Sequence, residues 1–204
     1  MGLVGEPTSM QPAVGERGLV VLDGKAIGVS GHAARGEGVN ALYLAIEDIE
    51  RLRNYKFDEH SELLGPISLT VTQIEAGTQH NVVPAECRFV VDVRTTDAYT
   101  NEQTVEILQS VCRSELKPRS TRIQASAIDS SHPMVRAAVL SGGVPYVSPT
   151  TSDMALMHGF PTLKMGPGKS ERSHTADEFV LLSEIEEGIE GYRKFIEELA
   201  KIYS

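Results

Sequence analysis

In two stretches between residues 67 and 94 the apolar positions fall on every second residue. Ile67, Leu69 and Val71 alternate with Ser68, Thr70 and Thr72, while Phe89, Val91 and Val93 alternate with Arg88, Val90 and Asp92. A period of two predicts a pair of half-buried strands. Residues 77–81 form the turn between them, and Pro84 opens the second strand. Upstream, residues 17–29 carry Leu19, Val20, Val21, Leu22, Ala26 and Ile27, which predicts a strand pair or one long bent strand. Residues 39–55 switch to helical spacing, with Val39, Leu42, Tyr43, Ile46, Ile49 and Leu52 on one face. Downstream, Thr100 and Gln103 have the spacing of a capping box and open a helix with Val105, Leu108 and Val111 inward. A further strand is expected over 121–128. Strand, helix, strand, strand, helix, strand is the order of a ferredoxin-like sandwich, an antiparallel sheet with two helices on one face.

The flanks read differently. A short apolar run at residues 2–4 is broken by Gly5 and Pro7, with Glu6 between them. After residue 128 come a short helix at 134–140, a helical turn at 154–157 and a short strand at 161–165. Residues 166–180 form an irregular loop, rich in glycine, proline and hydroxyls, that carries His174. A final helix is expected to start at a capping box on Ser183, with Ile185, Ile189, Tyr192, Ile196, Leu199 and Tyr203 inward. Strands are too few here for a sheet of their own, so the flanks look like half of an α/β layer.

Composition narrows the class. The net charge of −9 argues against nucleic acid or an anionic membrane as a partner. No apolar run approaches the ~18 residues of a membrane span. Cys87 and Cys112 lack metal-ligand spacing and read as free thiols in a reducing cytoplasm.

Seven segments stand in one order: Gly-Glu-Pro-Thr at 5–8, Gly-His-Ala at 31–33, Asn-Val-Val-Pro at 81–84, Asp-Val-Arg at 92–94, Thr-Ser-Asp at 151–153, Gly-Pro-Gly at 166–168, and Ser-His-Thr-Ala-Asp-Glu at 173–178. That order resembles the co-catalytic di-zinc amidohydrolases: acetylornithine deacetylase, succinyl-diaminopimelate desuccinylase, aminoacylase and glutamate carboxypeptidase. The chain looks most like the acetylornithine deacetylase branch. The resemblance implies an α/β fold in which a ferredoxin-like βαββαβ lid, the dimerisation domain, is inserted in a zinc-hydrolase catalytic domain. Applied here, it gives a catalytic remnant at 1–17, a lid at 18–128 and the C-terminal part of the catalytic domain at 129–204.

It also implies roles. Glu6 and His174 stand where the family has zinc ligands, and His32 stands where a lid histidine reaches the partner subunit to stabilise the oxyanion. Arg17, Asn81, Arg94, Thr151 and Gly166 fall at substrate-binding positions, for an N-acyl amino acid. Asn81 has a second reading, closing a hairpin, and Arg94 another, pairing with Asp92 or Asp97. Arg35 and Glu37 either sense the substrate or are solvated loop charges. His60, His132 and His158 match no motif and read as surface or capping residues.

The family attacks the amide with zinc-activated water, using a His-x-Asp pair, a bridging aspartate and a Glu-Glu pair. The sequence holds no His-x-Asp, and its Glu-Glu doublets, 186–187 and 197–198, lie on the final helix. The expectation is therefore a homodimeric lid on an incomplete two-zinc site, inactive alone, or else a non-catalytic dimerisation or regulatory module.

Overall fold

The computed structural model describes residues 1–157 and 159–204, so His158 lies outside the described residues. In chain order the strands and helices are β1 (Gly2–Val4), β2 (Ala13–Glu16), β3 (Gly18–Ile27), β4 (Gly31–His32), α1 (Ala41–Asn54), β5 (Ser68–Ala76), β6 (Val82–Val83), β7 (Glu86–Thr95), α2 (Asn101–Val111), β8 (Glu115–Pro118), β9 (Ser126–Ala127), α3 (Pro133–Leu140), β10 (Tyr146–Ser148), β11 (Thr162–Lys164) and α4 (Leu182–Tyr203). They form two compact units: a split unit, Met1–Arg17 with Ala125–Ser204, and a continuous one, Gly18–Gln124.

The continuous unit is the ferredoxin-like sandwich. Its sheet has the order β5-β7-β3-β8 with antiparallel neighbours. Val20, Leu22, Phe89, Val91 and Val93 point to one face and pack against α1 and α2 through Ala41, Ala45, Leu52 and Leu108. The strand pattern of the sequence holds here because each strand has one dry and one wet face. The capping box of α2 forms as expected: Gln103 N–H donates to Thr100 Oγ1 at 3.1 Å, and Thr100 N–H donates to Gln103 Oε1 at 2.9 Å.

Two expectations change. The last strand of this unit is β8 at 115–118; within 121–128 Ile123 makes an isolated bridge to Leu19, and Ser126–Ala127 form β9, which pairs with β2 of the split unit. Leu116 is the single buried apolar residue of β8, too little to register as a period. On α1 the buried positions are Ala41, Ala45, Asp48 and Leu52, whereas Tyr43 and Ile46 are exposed. Small alanines let the helix settle closely on the sheet and turn the larger residues outward.

Buried Asp48 is held by hydrogen bonds. Its carboxylate accepts from Ser114 Oγ at 2.6 Å, from Ser114 N–H at 2.7 Å, from Arg113 N–H at 3.1 Å and from Arg51.

In the split unit the sheet has the order β1-β11-β2-β10, with β9 beside β2. β1 runs parallel to β11 and β10 parallel to β2, whereas β2 meets β11 antiparallel. Val14, Met134, Val135, Leu163, Met165 and Phe195 form its core. The final helix starts two residues earlier than Ser183 implied. Leu181 is its N-cap residue, and the Leu181 N–H donates to Glu184 Oε2 at 2.9 Å. Its inward face is Gly188, Tyr192, Phe195, Leu199 and Ile202, while Ile185, Ile189, Ile196 and Tyr203 are exposed. Glycine suits the inward position 188, where a Cβ would lie 2.8 Å from Pro167.

Candidate functional site

Within the split unit the segments carrying Glu6 and Gly166 are in contact. Gly166 C=O accepts from Thr8 N–H at 3.1 Å and Met10 N–H at 2.9 Å, and its N–H donates to Thr8 Oγ1 at 3.1 Å. Both backbone groups of Gly166 are thus engaged inside the unit, and the residue is buried. It serves the close approach of two loops. A Cβ at 166 would lie 2.6 Å from the Glu6 carbonyl oxygen. Gly166→Ala is expected to destabilise the split unit by about 1–3 kcal/mol, read as a lower urea midpoint.

Ser9 at φ 52° and Met10 at φ 59° are left-handed, and so is His174 at φ 61°. Strained non-glycine backbone of this kind clusters where surrounding structure enforces it, often at functional sites. Both Glu6 and His174 are exposed. The His174 N–H donates to Glu178 Oε2 at 3.1 Å. Its loop is tied to α4 by Arg172, which pairs with Glu184 at 2.7 Å and lies 4.5 Å from the Phe179 ring centroid. The Leu181 N–H and then Arg172 hold the Glu184 carboxyl below its ordinary range. No group of three His, Cys, Asp or Glu residues that could hold a metal ion is found among the described residues. One carboxylate and one imidazole fall short of the three protein ligands that a catalytic zinc takes. No metal-dependent step is therefore assigned to these residues alone.

Arg17 and Thr151 come together, with Thr151 Oγ1 donating to the Arg17 carbonyl at 3.2 Å. The reason lies one residue away on each side, at positions that no motif marks. Glu16 is fully buried and accepts from Ser152 N–H at 3.0 Å, Ser152 Oγ at 2.8 Å and Lys164 Nζ at 2.8 Å. Lys164 also donates to the Thr150 carbonyl at 2.9 Å. An ion pair that leaves both side chains at most 2% exposed thus clamps β2, β11 and the 150–152 loop together.

The continuous unit brings His32 and Asn81 together. His32 pairs with Val82 in the β4–β6 ladder, and Ala33 N–H donates to the Asn81 carbonyl at 3.0 Å. The His32 Nδ1 accepts from Ala34 N–H at 3.2 Å. A neutral imidazole whose Nδ1 accepts carries its proton on Nε2. Asn81 therefore closes the local turn with its backbone and leaves its side chain exposed.

Arg94 takes the second of its two readings in this state. Its guanidinium grips Asp92 through Nε at 2.7 Å and Nη2 at 3.1 Å. Arg35 and Glu37 lie 3.9 Å apart on the exposed loop. His132 caps α3, its Nδ1 accepting from Met134 N–H at 3.2 Å.

The chain thus has a ferredoxin-like unit inserted in an α/β unit, with paired site segments in each. The peptidase dimerisation domain family matches residues 14–120. The chain belongs to the M20 peptidase family.

It is 30% identical to a succinyl-diaminopimelate desuccinylase of Dinoroseobacter shibae, covering 90% of this chain and 54% of that protein. It is 28% identical to an acetylornithine deacetylase of Aliivibrio salmonicida, covering 90% and 53%. The chain thus spans about half the length of these curated relatives. In fold it is similar to a tripeptidase of Staphylococcus aureus, with a TM-score of 0.77 at 19% identity, covering 97% of this chain and 56% of that one. It is also similar to a Bacillus subtilis protein described as a dinuclear metal-binding M20 peptidase, with a TM-score of 0.64 at 19% identity, covering 99% and 56%.

Proposed function

We propose that the chain is the lid-bearing part of a metal-dependent amidohydrolase that cleaves the amide bond of an N-acyl amino acid, with an acetylornithine deacetylase-like substrate. The observation that carries this reading is His32, exposed, with Nδ1 occupied by Ala34 and Nε2 left as the donor. An Nε2–H held in this way is suited to an oxyanion. In a homodimer it serves the partner subunit's site, with the Asn81 side chain beside it. Arg17 and Arg94 receive the substrate carboxylate, a role for which Arg94 must release Asp92 in part. Thr151 and Gly166 are the remaining residues assigned to the substrate site, Gly166 by shaping it rather than by bonding.

Zinc is the metal assigned to Glu6 and His174. Its other ligands and the base are not among these 204 residues, so the chain alone is inactive. The free cysteines Cys87 and Cys112 fit a cytoplasmic location.

Supplying a half-domain that carries His-x-Asp, the bridging aspartate and the Glu-Glu pair is expected to give N-acetylornithine hydrolysis and bound zinc. In that mixture His32→Ala should lower kcat about a hundredfold with zinc content unchanged. Turnover by the 204-residue chain alone would refute its inactivity.

The second reading, a non-catalytic dimerisation or regulatory module, is favoured by the exposed stripe Val39, Tyr43 and Ile46 on and beside α1. A dimer that persists in sedimentation while the reconstituted mixture stays inactive would select it.

A further inference from the structure

By composition alone, residues 30–38 would be a mobile loop. They comprise three glycines and two alanines among their nine residues, and every residue from His32 to Val39 is exposed. Little side-chain burial orders them, and glycine has the most backbone freedom to lose. We infer that residues 28–41 and 81–85 nevertheless form a rigid, preformed arm, in which Gly28 and Gly31 are positioning residues for His32. The effect on turnover rests on the hydrolase reading, whereas the rigidity of the arm does not.

Backbone hydrogen bonds run the length of the arm. At its base, Val29 and Val39 exchange N–H to carbonyl bonds, both at 2.8 Å. Beside them, Gly28 N–H donates to the Ala85 carbonyl at 2.8 Å, and Ala41 N–H donates to the Pro84 carbonyl at 3.0 Å. Further out, Gly31 and His32 pair with Val83 and Val82, and Ala33 N–H donates to the Asn81 carbonyl at 3.0 Å. Three runs of backbone are thus joined side by side. The Ala34 N–H bond to Nδ1 then holds the His32 ring against the same framework.

The two glycines make this joining sterically possible. A Cβ at Gly28 would lie 2.1 Å from the Val39 carbonyl oxygen, and one at Gly31 would lie 2.2 Å from the Glu37 carbonyl oxygen. Both obstacles are backbone atoms, not side chains free to swing aside. Neither glycine has a left-handed φ, so space rather than dihedral angle excludes a larger residue. Any side chain at position 31 must push residues 37–38 outward and strain the Val29–Val39 bridge beside them. A donor aimed in advance needs no reordering when charge develops on an oxyanion. A displacement of ~1 Å is enough to lose much of that effect.

The test uses the 204-residue chain, labelled with ¹⁵N, without metal or substrate. Backbone order parameters over residues 29–39 are expected near ~0.85, the level of rigid backbone. The ring nitrogen shifts of His32 should place its proton on Nε2. Order parameters below ~0.6 in the wild type would overturn the arm, and this measurement needs no variant to fold. Gly31→Ala is expected to lower the order parameters of residues 31–38. It should also move the tautomer ratio roughly fivefold toward Nδ1–H, the scale of one hydrogen bond, while the Val91 amide reports an intact sheet. Gly36→Asn is the control: residue 36 has open space around it, and asparagine accepts its φ of 65°. It should leave both readouts unchanged. A Gly31→Ala chain that keeps both would remove Gly31 as a positioning residue. In the reconstituted mixture Gly31→Ala should lower kcat roughly tenfold, part of the hundredfold carried by the donor itself, with KM unchanged. A rigid arm alongside failed reconstitution would leave the arm standing and remove the hydrolase; turnover with a mobile arm would do the reverse.

Discussion

Replacing Lys164 by methionine is expected to be among the most damaging single changes in the split unit, costing about 3–5 kcal/mol. The ammonium is nearly fully buried, at 2% side-chain exposure, and it pairs with a carboxylate at 0%. Methionine fills much of the volume but leaves Glu16 charged in a dry site. Ser152 still donates twice to that carboxylate, which compensates for only part of the lost cation. The Thr150 carbonyl also loses one of its two donors, keeping Ser148 Oγ at 3.1 Å. A loss of this size is a large share of the ~5–15 kcal/mol that holds a domain together. Native-state hydrogen exchange at Leu163 should register it, while Val91 in the continuous unit serves as a control. The double variant Glu16→Gln with Lys164→Met removes the stranded charge and should recover at least ~2 kcal/mol. If the double variant is no more stable than Lys164→Met, the unpaired charge is not the cause.

Asp48→Ala is expected to cost a comparable ~3–5 kcal/mol in the continuous unit. The carboxylate is fully buried and serves both the hydroxyl and N–H of Ser114, the N–H of Arg113, and Arg51. Alanine leaves these donors facing a void, and the connection from α1 to the segment entering β8 is lost. The control is reversed, with protection falling at Val91 rather than Leu163.

Asp48 also has a pH signature. Burial raises its pKa, but the Ser114, Arg113 and Arg51 hydrogen bonds outweigh it and hold the carboxyl below its ordinary value. The unfolded chain therefore takes up the proton first as pH falls. The stabilisation is complete above the unfolded pKa of about 3.9 and is lost as pH drops through the lower folded value. Urea midpoints of wild type and Asp48→Ala should differ by a constant amount from pH 7 to about 5, and converge below about pH 4. A gap that is constant down to pH 2 would mean the carboxylate is not what stabilises the site.

The sequence was most informative where a side-chain period coincided with one wet and one dry face. The strands holding Val71 and Val91, and the Thr100 cap, follow from neighbours within a few residues. β2 was not legible, because Ala13, Val14, Gly15 and Glu16 are all buried and show no alternation. β8 was displaced in the reading because Glu, Leu, Lys and Pro carry a single apolar residue. Asp48 and Lys164 look like ordinary surface charges until their partners are known. Asp48 meets Ser114 66 residues away, and Lys164 meets Glu16 148 residues away. Local pattern cannot encode such distances. For the site, motif order linked His32 with Asn81, but the contact of Arg17 with Thr151 follows only from the fold. It could not show that Gly166 is sealed inside its own loops, and it left Arg94 open between the substrate and Asp92, on which it rests.

The pairing of β1 with β11 joins Gly2 to Thr162. During synthesis β1 therefore waits for most of these residues to emerge before it meets its neighbour. At about 5–20 residues per second, Glu16 waits roughly 7–30 s for the lysine that neutralises it. Over that interval the continuous unit, whose sheet closes by Pro118, can already be folded. The continuous unit is then complete before the split unit can close, and β1 and β2 stay open to chaperones until β11 emerges.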